Sequence, residues 1–158
     1  MTKSDKETPK RVDLSKMASN RRISREISLK TLYAWLLNNG GPIDIIRHDF
    51  SEEVDSSKVD NNYLELIVHG VKKNIVKIEN LLNPILDRNF KSVSPIERAI
   101  LLIATYEMME HKDIPFKVVI NEAVELTKDF GGTEGYKYVN GVLDKLADAL
   151  RSNEKKIN

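Results

Sequence analysis

The chain has 158 residues, 41% of them hydrophobic and 31% charged, and no cysteine; this composition suits one globular domain and excludes disulfides, thiolate nucleophiles and thiolate metal sites. Lys and Arg number 25 against 24 Asp and Glu, so net charge makes no global case for nucleic acid. The distribution is more informative: residues 1–30 hold nine Lys or Arg against four acids, and the remainder is net acidic, as expected of a basic site on a neutral scaffold.

No apolar run approaches the length of a membrane span and the N-terminus is too polar for a secretory signal, so a cytoplasmic location is expected. Residues 1–19 are rich in Lys, Ser, Thr and Asp with little periodic apolar content. Such a segment cannot offset its own ordering entropy, which predicts a flexible basic arm.

Residues 21–38 read as a helix ended by Asn39, Gly40, Gly41 and Pro42. Leu29, Leu32 and Leu36 share one stripe, and Arg21, Arg22 and Arg25 extend that side toward the N-terminus. Cations in the first turns face the positive end of the macrodipole at a cost of roughly 0.3 to 1 kcal/mol each, which an anion offsets. A guanidinium holds phosphate bidentately and stacks on bases, so this helix start suits single-stranded RNA. Solvated surface charge remains the alternative.

Residues 43–50 read as a short helix or turn and 51–58 as a polar loop. Asp60 is then the cap of one long helix with apolar positions at intervals of three and four from Tyr63 to Leu82, and Gly70 inside it points to a close helix crossing. Residues 85–90 form a packed connection.

The most apolar stretch is Ser94 to Met109, the central column. Ser94 as N-cap, Pro95 at the first helical position and Glu97 three residues after the cap make a capping box. Apolar residues cover over half its circumference, so neighbours must enclose it on several sides. The remaining arc holds Glu97, Arg98, Leu101, Thr105 and Met108, a seam that is either a docking surface or a contact with another helix of the same domain.

Pro115 opens the next helix, Phe116 to Phe130, closed by Gly131 and Gly132, and a last helix begins near Thr133. Asn121 and Asn140 interrupt their apolar patterns; a buried amide must find partners, so each is expected to bond a neighbouring helix end or loop. Asn140 stays open, because with Lys137 and Tyr138 it forms a cation, ring and amide group suited to a nucleotide. Residues 153–158 are expected to fray. The fold predicted is all-α, six or seven helices in two packed three-helix bundles, spanning residues 20–152 with a division near residue 90.

No motif argues for an enzyme. His48, His69 and His111 lie on separate segments without HExxH, and GxxxxGK[ST], GxGxxG and GxSxG are absent, so neither a metal nor a cofactor is expected.

The segments R-R-I-S-R-E, S-P-I-E-R-A-I-L-L-I-A, I-P-F-K-V-V-I-N-E-A-V-E-L and K-Y-V-N-G-V-L-D-K together resemble the NusB family of bacterial transcription antitermination factors. The resemblance implies two three-helix bundles and a non-catalytic role. It implies binding of boxA-containing RNA together with the ribosomal protein NusE, and access to RNA polymerase through other Nus factors. Carried over by position, Arg21, Arg22 and Arg25 face RNA phosphates. Lys137, Tyr138 and Asn140 form a second RNA-side cluster, with Glu134 before them. The partner surface maps onto Tyr33, Glu97 and Arg98, with Leu101 in the same seam. Ile23 stands where some members carry a further arginine, and the basic arm departs from the family's shorter start. The rival readings are a protein-only adaptor, a detached RNA-binding domain of an RNA cytosine methyltransferase, and, for the seam, a homodimer that masks it.

Overall fold

The computed structural model describes residues 13–157, so residues 1–12 of the expected basic arm lie outside the described residues. Within them run eight α-helices and no strand: α1 (Leu14–Leu37), α2 (Ile43–Ser51), α3 (Asn61–Lys73), α4 (Ile75–Leu82), α5 (Pro95–Glu110), α6 (Phe116–Phe130), α7 (Gly135–Leu150) and α8 (Ser152–Ile157). The all-α expectation holds. Helices α1 to α3 form one three-helix group and α5 to α7 the other, joined where α1 and α4 lie on α5. The buried side chains of both groups make one continuous core. No helix among the described residues is long and apolar enough to cross a membrane.

Helix α1 begins at Leu14, not Arg21, because the Asp13 carboxylate accepts the Lys16 N–H at 3.1 Å and supplies a cap inside what reads as a mobile arm. Arg21, at about two turns from the helix end, therefore lies beyond the macrodipole penalty expected of a first turn. Farther along, Ser24, Ser28 and Thr31 are buried beside Ile27, Leu29 and Leu32, and their hydroxyls donate to α1 carbonyls at 2.8–3.0 Å, Ser24 also to the Asp60 carbonyl at 2.7 Å. These small satisfied residues let α3 and α5 approach closely. Asn39 at φ 55°, with Gly40 and Gly41 at 110° and 111°, turns the chain after α1.

The long helix expected from Asp60 to Leu82 is two helices. Asn74 donates its side-chain N–H to the Gly70 carbonyl at 2.8 Å and adopts φ −106°, ψ 18°, which interrupts the ladder. The start matches the sequence: Asp60 accepts the Tyr63 N–H at 3.0 Å. The expected close crossing at Gly70 is against Tyr106, since a Cβ there would overlap the tyrosine ring.

Helix α5 is the central column, with every residue from Ala99 to Met108 buried. Ser94 accepts the Glu97 N–H at 3.3 Å, and the Glu97 carboxylate turns back to the Ser94 hydroxyl at 3.1 Å rather than to its backbone. Beyond α7 the described residues, to 157, continue as α8 where the sequence predicts fraying. Arg151, 4% exposed, donates to the carbonyls of Met108, His111 and Ile114 at 3.0–3.1 Å and to Glu154, which accepts the Phe116 N–H at 2.8 Å. A buried guanidinium satisfied this fully fixes α8 under the α5–α6 connection.

Candidate nucleic-acid interface

The three arginines of α1 share a helix face but not an environment. Arg25 is buried and paired with Glu107 of α5 at 2.8 Å, and Glu107 also accepts the Tyr63 hydroxyl. Burial opposes the charge of Arg25, and the adjoining Glu107 carboxylate more than offsets it, so its pKa moves upward. Arg25 is thereby removed from the expected phosphate contacts: it holds α1 to α5. Arg21 lies with its guanidinium 4.4 Å from the Tyr63 ring centroid and 3.8 Å from Asp60, with a side chain about one-third exposed. Arg22 is the most exposed of the three, its side chain 55% exposed, and it forms a two-nitrogen contact with Glu122 of α6 at 3.0 and 3.1 Å. The hydrogen bond to Glu122 raises its pKa further.

The residues expected at the head of α7 also separate. Two positions along a helix turn about 160° from each other, so Tyr138 and Asn140 point to opposite sides. Tyr138 lies under Arg88, whose guanidinium is 4.6 Å from the ring centroid. Its hydroxyl is buried, faces Asp87 without a well-formed hydrogen bond, and is pushed to a higher pKa by burial and then by that carboxylate. Lys137, exposed, pairs with Glu134 at 2.9 Å. Lys137 and Asn140 belong to a groove between α6 and α7, together with Lys117, Asn121, Lys128 and Tyr136. Arg88 carries no periodic signal in the chain, which is why sequence reasoning misses it.

The seam on α5 divides in the same way. Leu101, Thr105 and Met108 are 0% exposed, so Leu101 is withdrawn from the partner surface and packs in the core. Glu97 and Arg98, one turn closer to the solvent end, are partly exposed, as is Tyr33. Arg98 has a buried Nε without a hydrogen-bond partner and lies 5.9 Å from the Phe90 ring, at a small pocket with Trp35, Ile75 and Phe90. Glu97 meets the head of α7: a Cβ on Gly135 would stand 3.0 Å from its carboxylate. Glu97 therefore touches the helix that carries Lys137 and Tyr138.

His69 is less isolated than its place in the sequence implies. Its Nε2 lies 2.9 Å from Asp44 and 3.0 Å from Glu65, a grouping of α2 with α3 whose ligand atoms all fall within 4.8 Å of one another. Arg47 pairs with Glu65 at 2.7 Å, so polar contacts tie α2 to α3 here. Asp44, Glu65 and His69 are the residues with metal-ligand chemistry found together among the described residues.

The family model for the NusB family matches residues 22–148. The chain is 50% identical over 138 residues to the transcription antitermination protein NusB of Paraburkholderia phymatum, a match covering 87% of this chain and 94% of that protein. Its fold is similar to that of NusB from T. maritima, with a TM-score of 0.75, 28% identity and coverage of 86% of this chain and 96% of that one. A chain from a crystal structure of antitermination factors NusB and NusE in complex with dsRNA superposes with a TM-score of 0.73 over 82% of this chain and 97% of its own length; at 22% identity this likeness concerns the fold.

Proposed function

This chain belongs to the NusB family, and on that premise we propose that it is a non-catalytic transcription antitermination factor that binds boxA-type single-stranded RNA together with NusE. The observation that carries this reading is the 50% identity, over 87% of the chain, to a protein named for transcription antitermination. In this reading Arg22 supplies a phosphate contact at the side of α1, while Lys137 and the Arg88–Tyr138 stack supply a cation and a π-face at the head of α7. Glu97 and Arg98, with Tyr33, form the NusE side. Because Glu97 abuts α7, the partner binds next to the RNA site and enlarges it, so each ligand tightens the other.

The test is a titration of fluorescent boxA-type and scrambled RNA against the chain alone and with NusE. Modest, salt-sensitive binding that strengthens with NusE and prefers boxA supports the reading. Binding of NusE with no RNA affinity in either setting leaves a protein-only adaptor instead.

A further inference from the structure

Asn121 and Asn140 interrupt two apolar helices, and the expected buried bonds to neighbouring elements are not made. Both are exposed, both line the groove between α6 and α7, and neither side chain has a hydrogen-bond partner among the described residues. The groove encloses about 630 Å³, within the range of pockets that hold small organic ligands. Phe116 and Ile120, 5% and 9% exposed, form its floor with Val124. Its rim carries Lys117, Lys128 and Lys137, and the last two place their ammonium groups 5.1 and 6.0 Å from the Tyr136 ring centroid. Lys117 has no ion-pair partner among the described residues. The far end is closed by Lys155, paired with Asp144 at 3.1 Å.

An apolar floor that includes the Phe116 ring, a second ring at Tyr136, two unpaired amides and a cationic rim is a combination with a narrow set of occupants. Among the described residues Asp144 is the sole carboxylate of the lining, too few ligands for a metal ion. A carboxamide offers a donor and an acceptor side by side, the pattern presented by a base edge. An aromatic ring stacks bases, and lysines hold the phosphates between them.

We propose that the α6–α7 groove is a second RNA subsite that holds one or two unpaired nucleotides. Asn121 and Asn140 read a base edge, Tyr136 is the stacking platform, Lys117 and Lys128 take the flanking phosphates, and Lys137 is shared with the site at the head of α7. The inference rests on the RNA-binding reading above and extends it to the side of α7 turned away from Tyr138.

The experiment compares binding of a boxA-type single strand and a base-substituted series by the full chain in the presence of NusE. The chains compared are wild type, Lys117→Gln, the double variant Asn121→Ala/Asn140→Ala, and Arg22→Ala. For the double amide variant a loss of about 10-fold is expected, larger for one base identity than for the others, with the salt slope and melting temperature unchanged. Lys117→Gln weakens all sequences alike and lowers the salt slope by about 0.7, one phosphate contact to a single strand. If Arg22→Ala weakens binding while the amide and Lys117 variants bind like wild type, the groove assignment is overturned and the RNA-binding reading stands. A loss that follows a lowered melting temperature also overturns it, since the amides would then be structural. Absence of RNA binding by the wild-type complex removes both.

Discussion

Arg25 and Glu107 meet at 2.8 Å with side chains only 4% and 2% exposed, so the most buried member of the arginine cluster is a tie between α1 and the central helix. Removing one partner of such a pair strands the other charge in the core, at a cost of about 3–5 kcal/mol. Arg25→Ala should therefore lower the unfolding free energy by that amount in urea titration, whereas Arg22→Ala should change it by less than about 1 kcal/mol. Replacing both members, Arg25→Met with Glu107→Met, should recover part of the loss. Equal costs for Arg25→Ala and Arg22→Ala would contradict the assignment of the two arginines to different roles.

Arg22 spends part of its charge on Glu122, held through two nitrogens. Glu122→Gln should free the guanidinium and tighten RNA binding about two- to five-fold at low salt, the size of a partly exposed pair. The gain should vanish in an Arg22→Ala background. A double-mutant cycle read by fluorescence anisotropy decides it.

The Gly70 crossing admits no side chain. Gly70→Ala gains about 1 kcal/mol of helix propensity, but the added methyl meets the Tyr106 ring, which is 6% exposed and stands edge-on to His111 at 5.3 Å. The net outcome should be a destabilisation of about 1–3 kcal/mol. Tyr106→Leu should absorb much of it, so the two substitutions combined should cost less than their sum in thermal melts.

Glu26 is the carboxylate whose pKa burial pushes up, against the opposing pull of Lys30. Its folded-state value lies above the ordinary value near 4.5, so its favourable contribution is complete below that pH and is lost as pH rises through the folded-state value. Glu26→Gln should remove this loss and raise the melting temperature at pH 7 by about 1 or 2 °C, with little change at pH 4. A larger gain at pH 4 than at pH 7 would contradict a raised folded-state pKa for Glu26.

The partner seam separates in the same manner. Leu101, fully buried, should cost about 2–5 kcal/mol when changed to Ala, without a specific effect on NusE binding by the molecules that remain folded. Arg98→Ala and Glu97→Gln should leave the melting temperature within a few degrees of wild type and weaken NusE about 10-fold in calorimetric titration. Unchanged affinity for both would move the partner surface elsewhere.

The amino-acid sequence by itself determined the helical class, the column at α5 and most helix starts, because caps, prolines and apolar spacing act over three or four residues. Asp60, Ser94 and Pro95 stand where their local chemistry requires. It also carried the motifs by which the family is recognised. Tertiary structure alone decided which of three neighbouring arginines meets solvent, since Glu107 and Glu122 lie 82 and 100 residues along the chain from their partners. The same holds for Leu101, enclosed by helices that its own sequence neighbourhood does not specify, and for Asn121 and Asn140, which periodicity places indoors and packing leaves facing one groove. Burial belongs to the meeting of elements distant in sequence, and that meeting sorted one apparent basic patch into a core tie, a ring-stacked cation and one exposed guanidinium.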